Sequence, residues 1–446
     1  MLTRLADHLE TVALRTAPAA STRLMGALPP SYLTMLQRAR FRRTLVRAAG
    51  RSSFYRDEFR RRGIDVRRMT HPSQLGDFYT VGEDIRRMDA SAFIASRPDT
   101  AFETTGTTSP VPKRIFFSNR ELESMGTASA AMLYVLGVRR EDHVLSAFDC
   151  SFWVSPVVLR SALRHLQCFH VEAGKIDPVE FYDHARHYRP TVLVGEPSWM
   201  VRMSEIAARE GTWPVKLLIA GGETITDAGR QIVERAWHAP LLLNYGQTEA
   251  FGSLGMECRR QQGYHRNDLH FLFEIAEPDA DGYGELVYTT LSRDVMPLIR
   301  YRSSDVTQLI NEPCECGLFA GRIASIRGRT DEMVVCGMGN ISPWVFDELL
   351  RGIPGIGGEC QVRIAHDGRV DLIELRVETQ TPVSRGDLER AVLDNLRDRF
   401  PDFWKNLRMN LYALVVDVAP AGRLREGRKL RRVVDERQVS QRQAAC

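Results

Sequence analysis

The sequence predicts an α/β protein of two domains: a large N-terminal α/β domain carrying a β-rich subdomain, and a small mobile α+β C-terminal domain. Three observations predict it. Short apolar runs (HVLSAF, CFHVEA, TVLVGE, VKLLIAG, PLLLNYG) alternate with amphipathic stretches such as VSPVVLRSALRHL, DPVEFYDHARHY and TDAGRQIVERAW. Apolar runs of that length between helices are the signature of a parallel sheet covered on both faces. From about Asn267 to Ile310 the pattern turns β-rich, with FLFEIA, GELVYTTL and LIRYRSSDVTQLI separated by Gly and Asp turns. After GRTDEM, the segments VFDELLRGI, CQVRIAHDG, DLIELRVE and RGDLERAVLDNLRDRF describe a compact α+β unit, so the boundary is set at Asp331, between residues 1–330 and 331–446.

The elements follow in chain order. Residues 32–87 read as mostly helical, and NRELESMGTASAAMLYVLGV starts a helix with Ser118 or Asn119 as N-cap. A chain of 446 residues exceeds one ordinary core, which agrees with two or more units. Lys and Arg number 60 against 56 Asp and Glu, a balance too small to imply a nucleic-acid partner. The basic runs RARFRRTLVRAAGR and RLREGRKLRR read as solvated helix faces. No apolar stretch reaches the roughly eighteen residues of a membrane span, and the first thirty residues lack the apolar segment of a signal peptide, so the expectation is a cytoplasmic protein with no membrane partner.

Several loops carry candidate chemistry. In ETTGTTSPVPK, Thr104, Thr105, Thr107 and Thr108 surround Gly106; such a loop offers backbone N–H and side-chain O–H donors to one anion, and the glycine permits close approach. Ligands of open parallel sheets sit beyond the carboxyl ends of the strands. There VKLLIA runs into Gly221, Gly222 and Glu223, while PLLLN runs into Asn244, Tyr245, Gly246, Thr248 and Glu249. A purine, a phosphate and a magnesium ion would together satisfy a flat backbone, an aromatic face, a hydroxyl and a carboxylate. Asp305 in LIRYRSSD can accept both hydroxyls of a ribose, and Arg329 in GRTDEM is a fixed cation for nucleotide oxygens. Separately, Cys258 and His265 in ECRRQQGYH and Cys314 and Cys316 in EPCECG form a set of three thiols and an imidazole. That set suits tetrahedral, structural zinc, with His270 as a competing ligand.

The ordered set ETTGTTSPVPK, NYGQTEA, LIRYRSSD, GRTDEMVVCGMGNISP and GRKLRRVVDER resembles the adenylate-forming superfamily, and within it the phenylacetate–CoA ligase branch, from about residue 52 to Arg437. The resemblance implies a two-domain enzyme that uses ATP to convert a carboxylic acid, aryl or substituted aryl, into an acyl-adenylate and pyrophosphate, then passes the acyl group to CoA. An amine or a carrier-protein thiol is the alternative acceptor, and a non-catalytic zinc-stabilised nucleotide-binding protein is the alternative class. By position, Thr105 to Thr108 would hold the β- and γ-phosphates. Gly222, Glu223 and Tyr245 would frame adenine and acyl group, and Thr248 and Glu249 would bind phosphate and magnesium. Asp305, assisted by Arg329, would hold ribose, Lys429 would bridge carboxylate and α-phosphate, and Asp331 would be the hinge. Some branch members carry zinc at the place corresponding to the Cys/His set. The chain departs from the pattern at Ser109 and the shifted Pro112-Lys113, and in AFDCSFWVSPVV, where Asp149, Cys150, Phe152 and Trp153 replace small residues and would reshape the acyl pocket. A homodimer is the candidate assembly.

Overall fold

The computed structural model describes residues 30–104, 112–222, 225, 227–250, 252–318, 320–326, 328–330, 334–341, 343–379, 382–419, 424 and 433–437. The N-terminal helical stretch forms α1 (Pro30–Arg51), α2 (Ser53–Arg61) and α3 (Gly82–Arg87), followed by the hairpin of β1 (Thr100–Glu103) and β2 (Arg114–Phe117). Ser118 caps α4 (Asn119–Val135) in a reciprocal capping box with Glu121, so two otherwise orphaned N–H groups are satisfied at once.

The alternating region gives β3 (His143–Ser146), α5 (Ser155–Leu166), β4 (Phe169–Glu172), α6 (Pro178–Tyr188), β5 (Val192–Gly195), α7 (Pro197–Glu210), β6 (Leu217–Gly221), α8 (Asp227–Trp237) and β7 (Leu241–Gly246). These five strands pair in parallel in the order β7-β6-β5-β3-β4. The sheet itself is mixed rather than wholly parallel. It continues from β7 through the antiparallel strands β8 (Ser253–Glu257) and β9 (Tyr264–Arg266), and β9 pairs in turn with a strand from much later in the chain. The reason is the length of the link: residues 247–252 between β7 and β8 are too few for a crossover, so the chain can only turn back.

The β-rich segment forms β10 (Phe271–Ala276), β11 (Gly284–Thr290) and β12 (Tyr301–Thr307). Then β13 (Leu309–Ile310) and β14 (Arg322–Ile323) add to the edge of the large sheet at β9, while β15 (Gly328–Arg329) returns to pair with β12. The C-terminal unit comprises β16 (Val334–Cys336), β17 (Gly339–Ile341), α9 (Pro343–Leu350), β18 (Ile356–His366), β19 (Asp371–Thr379), α10 (Arg385–Arg399), α11 (Pro401–Arg408), β20 (Tyr412–Ala419) and β21 (Val433–Asp435), its sheet ordered β20-β19-β18-β21.

A separate apolar core, including Met338, Phe346, Ile364, Leu375, Leu396 and Val416, lies within that unit. Met409 and Leu411, on the turn between α11 and β20, are buried instead with Trp199, Leu218 and Leu286 of the large domain. Asp331 lies outside the described residues, which resume at Val334, on the small-domain side of the proposed cut. Among the described residues, no helix is long and apolar enough to cross a membrane.

Candidate active site and candidate metal centre

The carboxyl ends of β6 and β7 lie side by side, with Gly221 in register with Asn244. A Cβ on Gly221 would approach the Asn244 carbonyl to 2.9 Å, so the strand ends meet this closely only because that residue is glycine. Gly222, at φ +94°, turns the chain into exposed space. Asn244 Oδ1 is buried with no hydrogen-bond partner, an unsatisfied acceptor suited to an exocyclic amino group such as that of adenine.

Asp305, on β12, is buried. Its Oδ2 accepts hydrogen bonds from the Tyr245 hydroxyl at 2.5 Å and from Gln247 Nε2 at 2.7 Å, while its Oδ1 accepts one from Arg329 at 2.7 Å. Arg329 reaches it because β15 pairs with β12 at Asp305 itself. Tyr288 donates to Gln247 Oε1 at 3.0 Å, fixing which end of that amide faces the carboxylate. Burial, with Asp305 beside it, pushes the Tyr245 phenol well above its usual range, so at neutral pH it keeps its proton and acts as a donor.

A second buried carboxylate, Glu249, follows the turn after β7. Its Oε1 is ion-paired with Lys113 and accepts a hydrogen bond from the Tyr301 hydroxyl at 2.9 Å. Lys113 also donates to Tyr301 at 3.0 Å. Burial acts to raise the Glu249 pKa, but Lys113 and Tyr301 outweigh it and the net shift is below the ordinary carboxylate range. This part of Glu249's contribution to stability is therefore present above that range and is lost as pH falls through the depressed value. In Lys113→Met the main opposition to burial is removed, only Tyr301 and a backbone hydrogen bond still counter it, and the carboxyl would titrate higher. The acid limb of the pH dependence of kcat/KM for ATP is then expected to move to higher pH, measured by ATP–pyrophosphate exchange.

Lys113 connects this turn to the hydroxyl loop. Its N–H donates to Thr104 Oγ1 at 3.2 Å and its carbonyl accepts from Thr104 N–H at 3.0 Å, so the two described flanks of the loop are clasped together against Glu249. Arg293, buried with its guanidinium 4.0 Å over the Phe117 ring, ties the same parts from behind through the carbonyls of Phe116, Glu249 and Ala250. Thr248 is half-buried in the turn. Thr105, Gly106, Thr107, Thr108, Glu223 and Lys429 lie outside the described residues.

The acyl-pocket candidates separate. The Trp153 ring lies about 4.0 Å from where a Cβ on Gly222 would sit. Phe152, by contrast, is 67% exposed, and Asp149 Oδ1 accepts a bond from Ser151 N–H in its own loop. Sequence reasoning missed Gln247, Tyr301 and Arg293. Gln247 lies inside YGQTEA and could have been read there, but nothing local marks Tyr301 or Arg293, whose partners are distant in the chain.

At the other edge of the sheet the ligand atoms of Cys258, His265, Cys314 and Cys316 all lie within 4.8 Å of one another. Antiparallel pairing of β14 with β9 sets Arg322 opposite His265 and so brings the loop between β13 and β14 back over the end of β8. The Cys258 and Cys314 sulfurs are 3.8 Å apart, and Cys316 Sγ is 3.2 Å from His265 Nε2. Tetrahedral thiolates about 2.3 Å from zinc would be about 3.8 Å apart, so the donors fit that ion. His265 Nδ1 lies 3.2 Å from the Ala320 carbonyl, a contact that leaves Nε2 directed at the group. His270 is not in the cluster; its Nδ1 bonds Ser292 Oγ at 2.7 Å.

Scanned against protein-family models, the chain matches none. A search of curated proteins finds phenylacetate–CoA ligase from Thermus thermophilus, 27% identical over 454 aligned positions covering 92% of this chain and 98% of that one. The Pseudomonas putida phenylacetate–CoA ligase is 25% identical, covering 77% and 81% respectively. Among solved structures, 2-hydroxyisobutyryl-CoA ligase in complex with 2-HIB-AMP and CoA, in its thioesterification state, superposes with a TM-score of 0.77 at 20% identity over 94% of both chains. The same ligase gives 0.64 in an open conformation and 0.62 in a postadenylation state. The fold is that of the adenylate-forming superfamily. In sequence the chain is similar to the phenylacetate–CoA ligases.

Proposed function

We propose that this protein activates a carboxylic acid, aryl or substituted aryl, with ATP to an acyl-adenylate, releasing pyrophosphate, and then transfers the acyl group to CoA. The observation that carries the reading is a pair of buried carboxylates from distant parts of the chain, each held by its own donors near the end of β7: Asp305 on β12, and Glu249 against the clasped flanks of the hydroxyl loop.

In this reading Asp305 accepts the ribose hydroxyls, with Arg329 holding the carboxylate in place. Asn244 and Tyr245 face the base, Gly222 and Glu223 border base and acyl group, and Thr104 to Thr108 hold the β- and γ-phosphates. Glu249 and Thr248 would hold magnesium, whose charge offsets that of the triphosphate, as a hard cation on oxygen ligands. Lys429 bridges the substrate carboxylate and the α-phosphate, where two anions must approach and charge gathers as they react. Structural zinc sits on Cys258, His265, Cys314 and Cys316. The enzyme is read as cytoplasmic.

For acyl transfer the small domain turns about Asp331 and presents the loop at residues 335–340 to the thiol. The higher TM-score to the thioesterification state supports this as the arrangement described. Asp371 Oδ2 accepts from Gly337 N–H at 2.8 Å and Asn406 Nδ2 donates to the Met338 carbonyl at 3.2 Å, so the loop is held from two sides. A Cβ on Gly337 would fall 1.9 Å from the Leu411 carbonyl. Gly337→Ala must therefore shift the loop. The expected result is a loss of about 1–3 kcal/mol in stability, in the range of overpacking, with thioester formation impaired more than pyrophosphate exchange.

The test of the function is acid-dependent ATP–pyrophosphate exchange across aromatic and aliphatic carboxylic acids. Exchange with aryl acids followed by CoA thioester formation is expected. Nucleotide binding without acid-dependent exchange would refute the reading, and turnover with amines or a carrier protein in place of CoA would reassign the acceptor.

A further inference from the structure

Beside Gly222 lies a buried ion pair that nucleotide chemistry does not use. Lys175, on the loop after β4, pairs with Glu196 Oε2, and their side chains are 8% and 4% exposed. Glu196 ends the β5 run and stands at the N-cap of α7, yet its carboxylate makes no capping bond. The pair spans the end of β3, the strand whose own continuation leads into Asp149 and Trp153. A Cβ on Gly222 would lie 4.0 Å from Glu196 Cγ and 4.0 Å from Trp153 Cζ3. Gly222 itself is exposed, so the open space above it is bounded by the Trp153 ring and by the stem of Glu196.

Burying two charges is costly, and apolar residues of the same volume often stabilise a fold as well or better. A pair of this kind at the rim of the acyl space is accounted for if it serves recognition. Lys175 occupies Oε2, and Glu196 Oε1 makes no hydrogen bond with the described residues. Asp149, the other acidic side chain of this region, has Oδ1 bonded to Ser151 N–H.

We propose that Glu196, charge-compensated by Lys175, accepts a hydrogen bond from a hydroxyl or amino group carried by the acid substrate away from its reacting carboxylate, so that donor-bearing aryl acids are selected over their unsubstituted parents. This rests on the carboxylate-activating reading above. A plain acid bound against this carboxylate would cover an acceptor without pairing it, a cost that sites built around a substrate hydroxyl use to reject analogues lacking it.

The test uses the full chain and matched pairs of acids: benzoate and phenylacetate against their ortho, meta and para hydroxy and amino derivatives, in ATP–pyrophosphate exchange. At least one donor-bearing isomer is expected to exceed its parent by ~10²-fold or more in kcat/KM. The double variant Glu196→Leu with Lys175→Met removes both charges together, so no lone ion is left buried. In it the preference is expected to fall to within a few-fold, with the plain acid activated at least as well as by the parent protein. Equal rates for plain and donor-bearing acids, or a preference that survives the double substitution, overturn this inference while leaving carboxylate activation intact. Absence of exchange with every acid overturns the underlying function instead. Should the double variant fail to fold, the comparison of acids on the parent protein decides.

Discussion

Lys429→Ala is expected to lower acid-dependent ATP–pyrophosphate exchange by ~10²–10³-fold, the usual cost of deleting one preorganised charge-stabilising group, while CoA thioester formation from a supplied acyl-adenylate stays within a few-fold of the parent. The split follows from where charge gathers. In adenylation a carboxylate attacks an α-phosphate and both partners are anionic, so a fixed cation between them acts most strongly in the transition state. In the proposed transfer step the thiol attacks the acyl carbonyl and AMP departs, with the small domain expected to present a different face. Lys429 is outside the described residues, but the segment that follows it is anchored: β21 pairs in parallel with β18 over Val362 to Ile364. Arg437 then bonds Asp371 at 3.1 Å, and the same Asp371 oxygen accepts the Gly337 N–H of the transfer loop. The strand that follows Lys429 in sequence and the Gly337 turn are thus joined through Asp371. Equal loss in both half-reactions would mean that the substitution damages the domain and that Lys429 has no step-specific role.

Metal removal is the second large effect. Metal analysis is expected to find about one zinc per chain, and Cys314→Ala or a strong chelator is expected to cause loss of folding rather than selective loss of turnover. Apparent binding free energies of structural zinc are on the order of 10 kcal/mol, comparable to the whole stability of a domain. The edge strands β13 and β14 are two residues each, held to β9 by a short antiparallel ladder, a few further hydrogen bonds and the burial of Ile323, beside the metal cluster. Once freed, this edge would expose Tyr264 and Ile323, now buried in the same core as Leu241 and Leu243. Thermal unfolding with and without chelator, beside an activity assay, measures both quantities. A fully folded, metal-free, inactive protein would contradict a structural role.

How the strands would be read from sequence was decided locally, and there the expectations hold well. The runs HVLSAF, TVLVGE and VKLLIAG become buried strands, and Ser118 caps its helix, because burial on two faces and a capping box leave marks within a few residues. Within the site, Asp305 and Arg329 carry such marks as well, since each lies in a short segment of distinctive composition. Gln247 carried one that went unread. Phe152, assigned to the acyl pocket through the resemblance of AFDCSFWVSPVV, is largely exposed, because a loop residue's direction is not encoded in its neighbours.

By itself the sequence determined the α/β class and the switch to β-rich structure near Asn267, and it supplied the candidate side chains for a nucleotide, a carboxylate and a soft metal. The tertiary structure alone decided that the large sheet is mixed, that Lys113 faces Glu249, that Tyr245 meets Asp305 across 60 residues of chain, that Cys258 lies against Cys314 across 56, and that Lys175 and Glu196 share one rim beside Gly222. The physical reason is that periodicity, caps and turns act through bonds and near neighbours. Contacts between distant segments depend on strand order, register and loop length, which are settled only when the whole core packs.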